Sequence, residues 1–375
     1  MKILIDARFY GPEGTGVGTY VENLVENLSR IDSKNEYVIL LKKSNFHLFN
    51  PKRDNFRKIE VDTHWYSLKE QILIPKILFK EKPDLVHFPH FNVPLFWSGK
   101  FVVTIHDLTI SKFGKEIENK KSPLLTLKKS AYNLILNKAL KSSKKIITPS
   151  NFVKSDLIKN YDLPEGKVIV THEAADETFT IKNDMSDGTK RKVLDKLKIK
   201  KPYVLTVGNS YKYKNVDLVL NALQKLKNNL SLVHVSKKDG FGKNLVEISK
   251  KLGVEDRFIL TGSVEVNDLA VLYKGAKALV LPSLSEGFGL PGLEAMASGC
   301  PVIASDIEVF REVYEEAALY FNPKNNLELA NKIELISQND KLKDEQVKKG
   351  LKQVKKYSWR NTAEQTLKVY NSLDY

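Results

Sequence analysis

SEGFGLPGLEAMASGCPVIAS, residues 285–305, follows the apolar run KALVLP and closes on a second apolar run, PVIAS. It reads as strand, loop, helix and strand. Gly287 and Gly289 permit tight backbone turns, Pro291 suits the first turn of a helix, and Gly299 suits its C-terminal cap. A helix therefore starts near Leu290. The N–H groups that the first helical turn leaves unpaired point back into the loop, where a diphosphate is a natural partner for their partial positive charge. Glu286 precedes the helix and Glu294 lies one turn inside it, so both can face one ligand and accept hydrogen bonds from sugar or ribose hydroxyls. The plainer alternative is one acid placed for the helix dipole and one on a solvated face.

The same alternation extends in both directions. KILIDAR, the helix-like TYVENLVENLSRI and YVILL open the chain, and DLVHF (84–88), FVVTI (101–105) and KKIITPS (144–150) follow as buried strands bounded by Pro, Asp or Gly. Periodicity lapses at ADETFTIKNDMSDGTK and restarts after Pro202 with YVLTVGN, VDLVLNALQKLK, SLVHV, RFILTG, LAVLYKGA and KALVLPS. This is the pattern of two open α/β units, each a parallel sheet covered by helices. The expected division is a Rossmann-like domain over 1–175, a linker over 176–200, a second Rossmann-like domain over 201–355, and a C-terminal amphipathic helix over 356–375 that packs back on the first domain. The 375 residues suit two cores of ordinary size. In open parallel sheets ligands collect outside the carboxyl ends of the strands, so two facing sheets would enclose one cleft.

Composition excludes several classes. With 42% apolar and 28% charged residues the chain is neither disordered nor fibrous. The single cysteine, Cys300, rules out an intramolecular disulfide and a cysteine-based zinc site, which fits a reducing, cytoplasmic setting. MKILIDARF has no long apolar core or cleavage site behind it, and no run approaches the ~18–20 apolar residues of a spanning helix, so any membrane contact is expected to be peripheral. The net charge of +15 is carried mainly by lysine, which reads as surface charge and argues against nucleic-acid binding. One segment is denser: residues 112–145 hold ten lysines against Glu116 and Glu118. Leu124, Leu127, Ala131, Leu134 and Ile135 recur there at helical spacing, which fits either a basic surface helix on an anionic inner leaflet or a core-facing stripe with a lysine-rich outside.

Further candidates stand at strand ends. His106 closes FVVTI and precedes Asp107, while His87 and His90, in DLVHFPH, are placed either to line the acceptor side or to cap a strand. Gly14, Gly16 and Gly18 lie in the first strand-to-helix turn and allow a ligand close to the backbone. Lys214, in VGNSYKYKN, stands where a cation would neutralise a diphosphate leaving group without a metal. No Asp-x-Asp and no His/Cys cluster occurs, so no metal is implied.

EGFGLPGLEAMASGCPVIAS resembles the Glu-x7-Glu signature of the family 4 retaining glycosyltransferases, and GTGVGTY, VVTIHD, TPSNF, the VGN…KN turn and the YSW helix extend the likeness over nearly the whole chain. The resemblance implies the GT-B fold, two Rossmann-like doubly wound parallel-sheet domains facing a central cleft, with the donor nucleotide on the second. It implies that Glu294 binds the ribose hydroxyls and Glu286 those of the transferred sugar, with Gly287, Phe288, Gly289 and Leu290 beside the donor. It places Gly16 against the donor phosphate or the acceptor, Gly18 and His90 on the acceptor side, and His106 against the 6-hydroxyl of the sugar. His106, Glu286 and Lys214 then act as transition-state and positioning groups, with no protein nucleophile. The family's usual arginine after the turn glycine is Asn209 here, so either Lys212 substitutes or the phosphate is held less tightly.

HWYSLKEQILIP (64–75) resembles the subset that handles mannose, which makes GDP-mannose the first choice of co-substrate and a UDP-hexose the second. The function implied is metal-independent retaining transfer of a hexose to a glycan or lipid-linked acceptor, with no cofactor. Two other classes are weighed: a nucleotide-sugar epimerase of the same architecture, which has no acceptor, and a basic nucleic-acid-binding protein.

Overall fold

The apolar runs form two separate parallel sheets. The computed structural model describes residues 1–11, 15–109, 123–180, 186–200 and 202–374, with side chains described from residue 129 onward in the helix that opens at 123. Gly14 and residues 112–122 of the basic segment lie outside the described residues. The described part of 1–108, with 123–173 and 358–374, forms one unit, and 174–357 forms the other.

The first unit contains β1 (Lys2–Asp6), β2 (Glu36–Leu41), β3 (Phe56–Glu60), β4 (Leu85–Phe88), β5 (Phe101–Thr104), β6 (Lys145–Thr148) and β7 (Val168–Val170). They pair in the order β3-β2-β1-β4-β5-β6-β7, all parallel. The order reverses between β1 and β4, the switch point at which α/β sheets bind ligands beyond their strand ends. Helices α1 (Thr15–Ile31), α2 (Leu68–Glu81), α3 (Pro123–Ser142) and α4 (Asn151–Tyr161) cover it, joined by the last helix of the chain, Trp359–Asn371.

Strand alternation divides these helices between the two faces. Leu4, Val38, Leu40, Val86, Phe88, Val103 and Ile146 point to one face and bury Ile74 and Leu78 of α2, Leu136, Ala139 and Leu140 of α3, and Val153 and Leu157 of α4. The intervening residues face α1 and the last helix, which pack on each other. That second face carries a buried polar chain. Tyr370 and His87 Nδ1 are 2.6 Å apart, His87 Nε2 and Thr104 Oγ1 2.8 Å, and Thr104 Oγ1 and Tyr20 Oη 3.1 Å. Burial, with the nearby His106 adding to it, drives the His87 pKa down to about 3, so His87 is a neutral connector between the sheet and the last helix.

The second unit contains β8 (Tyr203–Val207), β9 (Ser231–Val235), β10 (Phe258–Leu260), β11 (Leu279–Leu281), β12 (Val302–Ser305) and β13 (Ala318–Phe321), in the parallel order β10-β9-β8-β11-β12-β13. It again reverses once, between β8 and β11. Its helices are α5 (Asp187–Lys196), α6 (Val216–Lys225), α7 (Gly240–Lys251), α8 (Val266–Gly275), α9 (Leu290–Ala297), α10 (Glu308–Tyr314), α11 (Asn326–Gln338) and α12 (Asp340–Gln353). Val204, Leu232, Val280, Ile303 and Phe321 bury the apolar stripes of α6 and α11. Both units are doubly wound and Rossmann-like, the fold class read from the sequence.

Two readings of the sequence change. β3, β7 and β13 are not among the strands read from the sequence: all three are edge strands, FRKIE mostly polar because only one flank of an edge strand needs covering, and VIV and ALYF apolar but only three and four residues long. In α3 the buried stripe is Leu136, Ala139 and Leu140, with Tyr132 and Ile135 packed against the core, whereas Ala131 and Leu134 are exposed. The described part of α3 thus faces the core, with its stripe one step around the helix from the sequence assignment.

Candidate functional site

In the second unit the loops after β8 and β11 meet at the carboxyl edge of the sheet. Leu284 N donates to Tyr213 O at 2.8 Å, and Asn215, in left-handed backbone at φ 56°, donates from Nδ2 to Pro282 O and Pro323 O at 3.0 and 2.9 Å. Asn215 therefore locks the turn that carries Lys214. Ser210 anchors its other end through His234, whose ring bridges Ser210 Oγ and Thr206 Oγ1 at 3.0 and 2.9 Å and is kept neutral by burial, its pKa near 4.

This scaffold brings Lys214 and Glu286 together. Lys214 Nζ donates to Glu286 Oε1 at 2.6 Å, and Ser283 Oγ donates to the same oxygen at 2.6 Å. Both charged side chains keep some exposure, 19% for Lys214 and 15% for Glu286, so the pair lines a surface open to solvent. Among the described residues, Glu286 Oε2 accepts no hydrogen bond. A methyl group on Gly208, at φ 134°, would lie 3.9 Å from Lys214 Nζ.

α9 begins immediately afterwards. Gly289, at φ 96°, occupies its N-cap with no side-chain cap, and Pro291 sits in the first turn. Tyr314 lies beneath this start: its hydroxyl donates to Gly289 O, and a Cβ on Gly289 or Gly292 would meet Tyr314 atoms at 2.2 and 2.3 Å. Phe288 and Leu290 turn their side chains into the interior, Phe288 edge-on to Tyr357. α9 ends in a Schellman motif, with Gly299 N bonded to Met296 O, Cys300 N to Ala295 O, and Gly299 at φ 74°.

Glu294 accepts a hydrogen bond from Tyr273 at 2.8 Å on Oε2. Burial pushes its pKa up to about 7; the Tyr273 bond opposes the rise and Asp176 adds to it. Asn209 is exposed and folds onto its own turn, accepting from Tyr211 N at 3.2 Å and lying 3.4 Å from Tyr213 Oη. Lys212 is exposed.

In the first unit His106 is held on both sides: Nδ1 donates to Glu173 at 3.0 Å and Nε2 to Pro89 O at 3.0 Å. Two acceptors require two ring protons. Burial opposes that charge, but the bond to Glu173 and its charge outweigh it, so the His106 pKa is raised, in the direction that favours the imidazolium. Tyr20 packs edge-on against it at 4.8 Å.

His90 lies in an aromatic group with Phe9 and Phe91, and burial lowers its pKa to about 3. Gly16 is exposed with open space around it, whereas Gly18 is buried where a Cβ would meet Gly11 O at 2.1 Å, so Gly18 lets α1 close on the preceding turn. Tyr273, Ser283, Tyr314 and Glu173, the partners that fix these groups, were not read from the sequence. Among the described residues, no three His, Cys, Asp or Glu side chains gather to hold a metal ion.

The fold defines a class first: proteins of two Rossmann-like, doubly wound parallel-sheet units, the GT-B type. Within it this chain belongs to the glycosyltransferases, since residues 14–179 match the family model described as Glycosyltransferase Family 4 and residues 189–353 that of Glycosyl transferases group 1. Among curated proteins it is similar to the O-antigen chain mannosyltransferase RfbU of Salmonella typhimurium, at 28% identity over 73% of this chain and 70% of that protein. It is also similar to the O-antigen chain mannosyltransferase B of Escherichia coli, at 29% identity over 78% and 75%. Among solved structures, HepE of Anabaena in complex with UDP and glucose aligns at a TM-score of 0.75 and 16% identity over 99% of this chain and all of that one, a likeness of fold. The family places the chain among transferases acting on a sugar donor and a glycan acceptor, and gives no support to the epimerase reading.

Proposed function

We propose that this glycosyltransferase moves mannose from GDP-mannose, with retention of anomeric configuration and without a metal, to a hydroxyl of a lipid-linked glycan at an anionic membrane face on the cytoplasmic side. The observation that carries this reading is the Lys214–Glu286 pair beside the uncapped start of α9. An ammonium beside a helix start is what a departing diphosphate requires, and here the chain itself supplies the cation. Glu294 takes the ribose hydroxyls, Glu286 the sugar hydroxyls, and the backbone of Gly287, Phe288, Gly289 and Leu290 the diphosphate. Asn209 borders that site. Residues 201–355 bind the donor and 1–175 the acceptor, with Gly16, Gly18 and His90 on the acceptor side and His106 as a positioning cation against the sugar. No residue is required as nucleophile: the acceptor hydroxyl attacks from the face the diphosphate leaves, and a donor phosphate oxygen takes its proton.

The mannose assignment is supported by the two O-antigen mannosyltransferases among its relatives. A UDP-hexose is the second reading, favoured by the fold neighbour crystallised with UDP and glucose. Calorimetry of the chain with GDP, UDP and ADP in EDTA, repeated on Glu294→Ala, tests both. One nucleotide bound without metal and lost in the variant is expected, whereas binding of none, or binding only on adding a divalent cation, refutes the metal-free donor site. Proton NMR of the first-formed product reads the anomeric configuration directly.

A further inference from the structure

α2 carries different side chains on its two faces. Inward, Ile74, Pro75 and Leu78 enter the core, and Glu70 is held by Arg8, by Asn92 Nδ2 at 2.8 Å and by Tyr66 N at 2.8 Å. Outward stand Leu68, Ile72 and Phe79, exposed to 86%, 61% and 61%. Their spacing puts all three on one stripe of the helix. Phe96, exposed to 81%, extends that stripe. Its loop is tied to α2 by Leu95 N donating to Gln71 Oε1 at 2.9 Å and by Trp97 packing edge-on to Phe79 at 5.5 Å. Isolated exposed apolar residues need no explanation, but four large ones sharing a face do.

The charges around the stripe are of one sign. Lys69, Lys76, Lys80 and Lys82 are all exposed, Lys76 within the stripe itself. Both acids of α2 are turned away, Glu70 to Arg8 and Glu81 to Lys2 and Arg57. The face therefore offers aliphatic and aromatic side chains between ammonium groups and no carboxylate of its own helix. A helix lying in the headgroup layer of an anionic bilayer needs that combination: apolar groups that enter the acyl boundary and lysines that stay at the lipid phosphates.

We propose that the outer face of α2, with Phe96, is the surface by which this chain docks on an anionic membrane, in place of the described part of α3. The inference deepens the reading of a membrane-borne acceptor and rests on it for its purpose, while its physical content concerns the first unit alone.

Co-sedimentation of the whole chain with phosphatidylcholine vesicles, with and without phosphatidylglycerol, tests it. Binding is expected only with phosphatidylglycerol, reversed by salt and weakened at least about tenfold in Ile72→Glu/Phe79→Glu and in Lys76→Glu/Lys80→Glu. Leu134→Glu, at an exposed apolar position of α3, is expected to bind as the parent does. Thermal melts and nucleotide affinity, read on the same preparations, are expected to be unchanged because every substituted side chain is exposed. A parent that ignores anionic vesicles, or a folded Ile72→Glu/Phe79→Glu variant that binds them fully, overturns the proposal. So does a dimer by light scattering that this variant breaks while vesicles stay unbound, since the face would then be a protein interface. Vesicle binding without nucleotide binding would instead refute the donor-site reading and leave the docking surface standing.

Discussion

Glu294 makes donor binding depend on pH in a way that can be worked out in advance. Its pKa in the free chain is near 7. If the ionised carboxylate is the form that accepts the ribose hydroxyls, binding favours loss of its proton. An acid with that pKa is about one-eleventh ionised at pH 6 and about ten-elevenths at pH 8, so affinity rises about tenfold across this window, or about 1.4 kcal/mol. At pH 7 binding releases about half a proton.

The assay is calorimetry in buffers of different ionisation enthalpy. The ligand should be a nucleotide sugar, because both of its phosphates are esterified and neither titrates in the window, as the terminal phosphate of a free nucleotide does. Glu294→Gln keeps the volume, removes the ionisation, and is expected to bind more weakly and with no pH dependence. Any pH dependence that this variant keeps belongs to another group, such as His106, whose pKa is raised from its ordinary value. Tyr273→Phe removes the hydrogen bond that holds the Glu294 pKa down and is expected to move the midpoint upward. Equal affinity at pH 6 and pH 8 in the parent, or a Tyr273→Phe midpoint that moves down, refutes the reasoning. The same shift acts on folding with its own sign: a carboxylate whose folded pKa is raised contributes stability that is complete below about pH 4.5 and is lost as pH rises through about 7.

Gly289→Ala combines a positive φ with a Cβ placed 2.2 Å from the Tyr314 hydroxyl, and is expected to cost about 2–5 kcal/mol in chemical denaturation; a loss below about 1 kcal/mol would mean that α9 shifts freely over Tyr314. Glu173→Gln removes the anion that keeps His106 charged, so the His106 ring should titrate at lower pH by NMR, and an unchanged or higher midpoint would exclude Glu173 as the cause.

The inner strands were legible because a strand buried on both faces is a near-continuous apolar run, as in YVILL, FVVTI and YVLTV. The ends of α9 were legible because Pro291 and Gly299 are tied to fixed helix positions by their own stereochemistry. Partners were not, because they come from other turns of the fold. Tyr273 reaches Glu294 from 21 residues away and Glu173 reaches His106 from 67, and no local pattern marks either. His87 shows the limit most clearly. As a residue at a strand end it read as lining the acceptor side or capping the strand, and only the alternation of β4 against β5, with the last helix laid across that face, turns it into a connector to Tyr370.

The pairing of Lys214 with Glu286 also decides how its mutants must be read. In the free chain the lysine charge is already balanced, so the pair as a whole attracts a diphosphate less than a lone ammonium would. Its value on the proposed reading is to hold the ammonium in place: a lysine has three N–H donors and can serve a carboxylate and a phosphate together. Lys214→Met removes the cation and also leaves the Glu286 carboxylate without its ammonium partner, next to the proposed diphosphate position. The single variant is thus expected to lose about ten- to a hundredfold in donor affinity, more than the lysine's own contact supplies. Lys214→Met/Glu286→Gln abolishes both charges and should recover part of that loss, with a coupling of about 0.5–3 kcal/mol in the double-mutant cycle. Calorimetry with the nucleotide sugar reads all four corners. Additive losses would mean that the two groups act independently on the donor, and that the 2.6 Å contact plays no part in presenting Lys214 to the diphosphate.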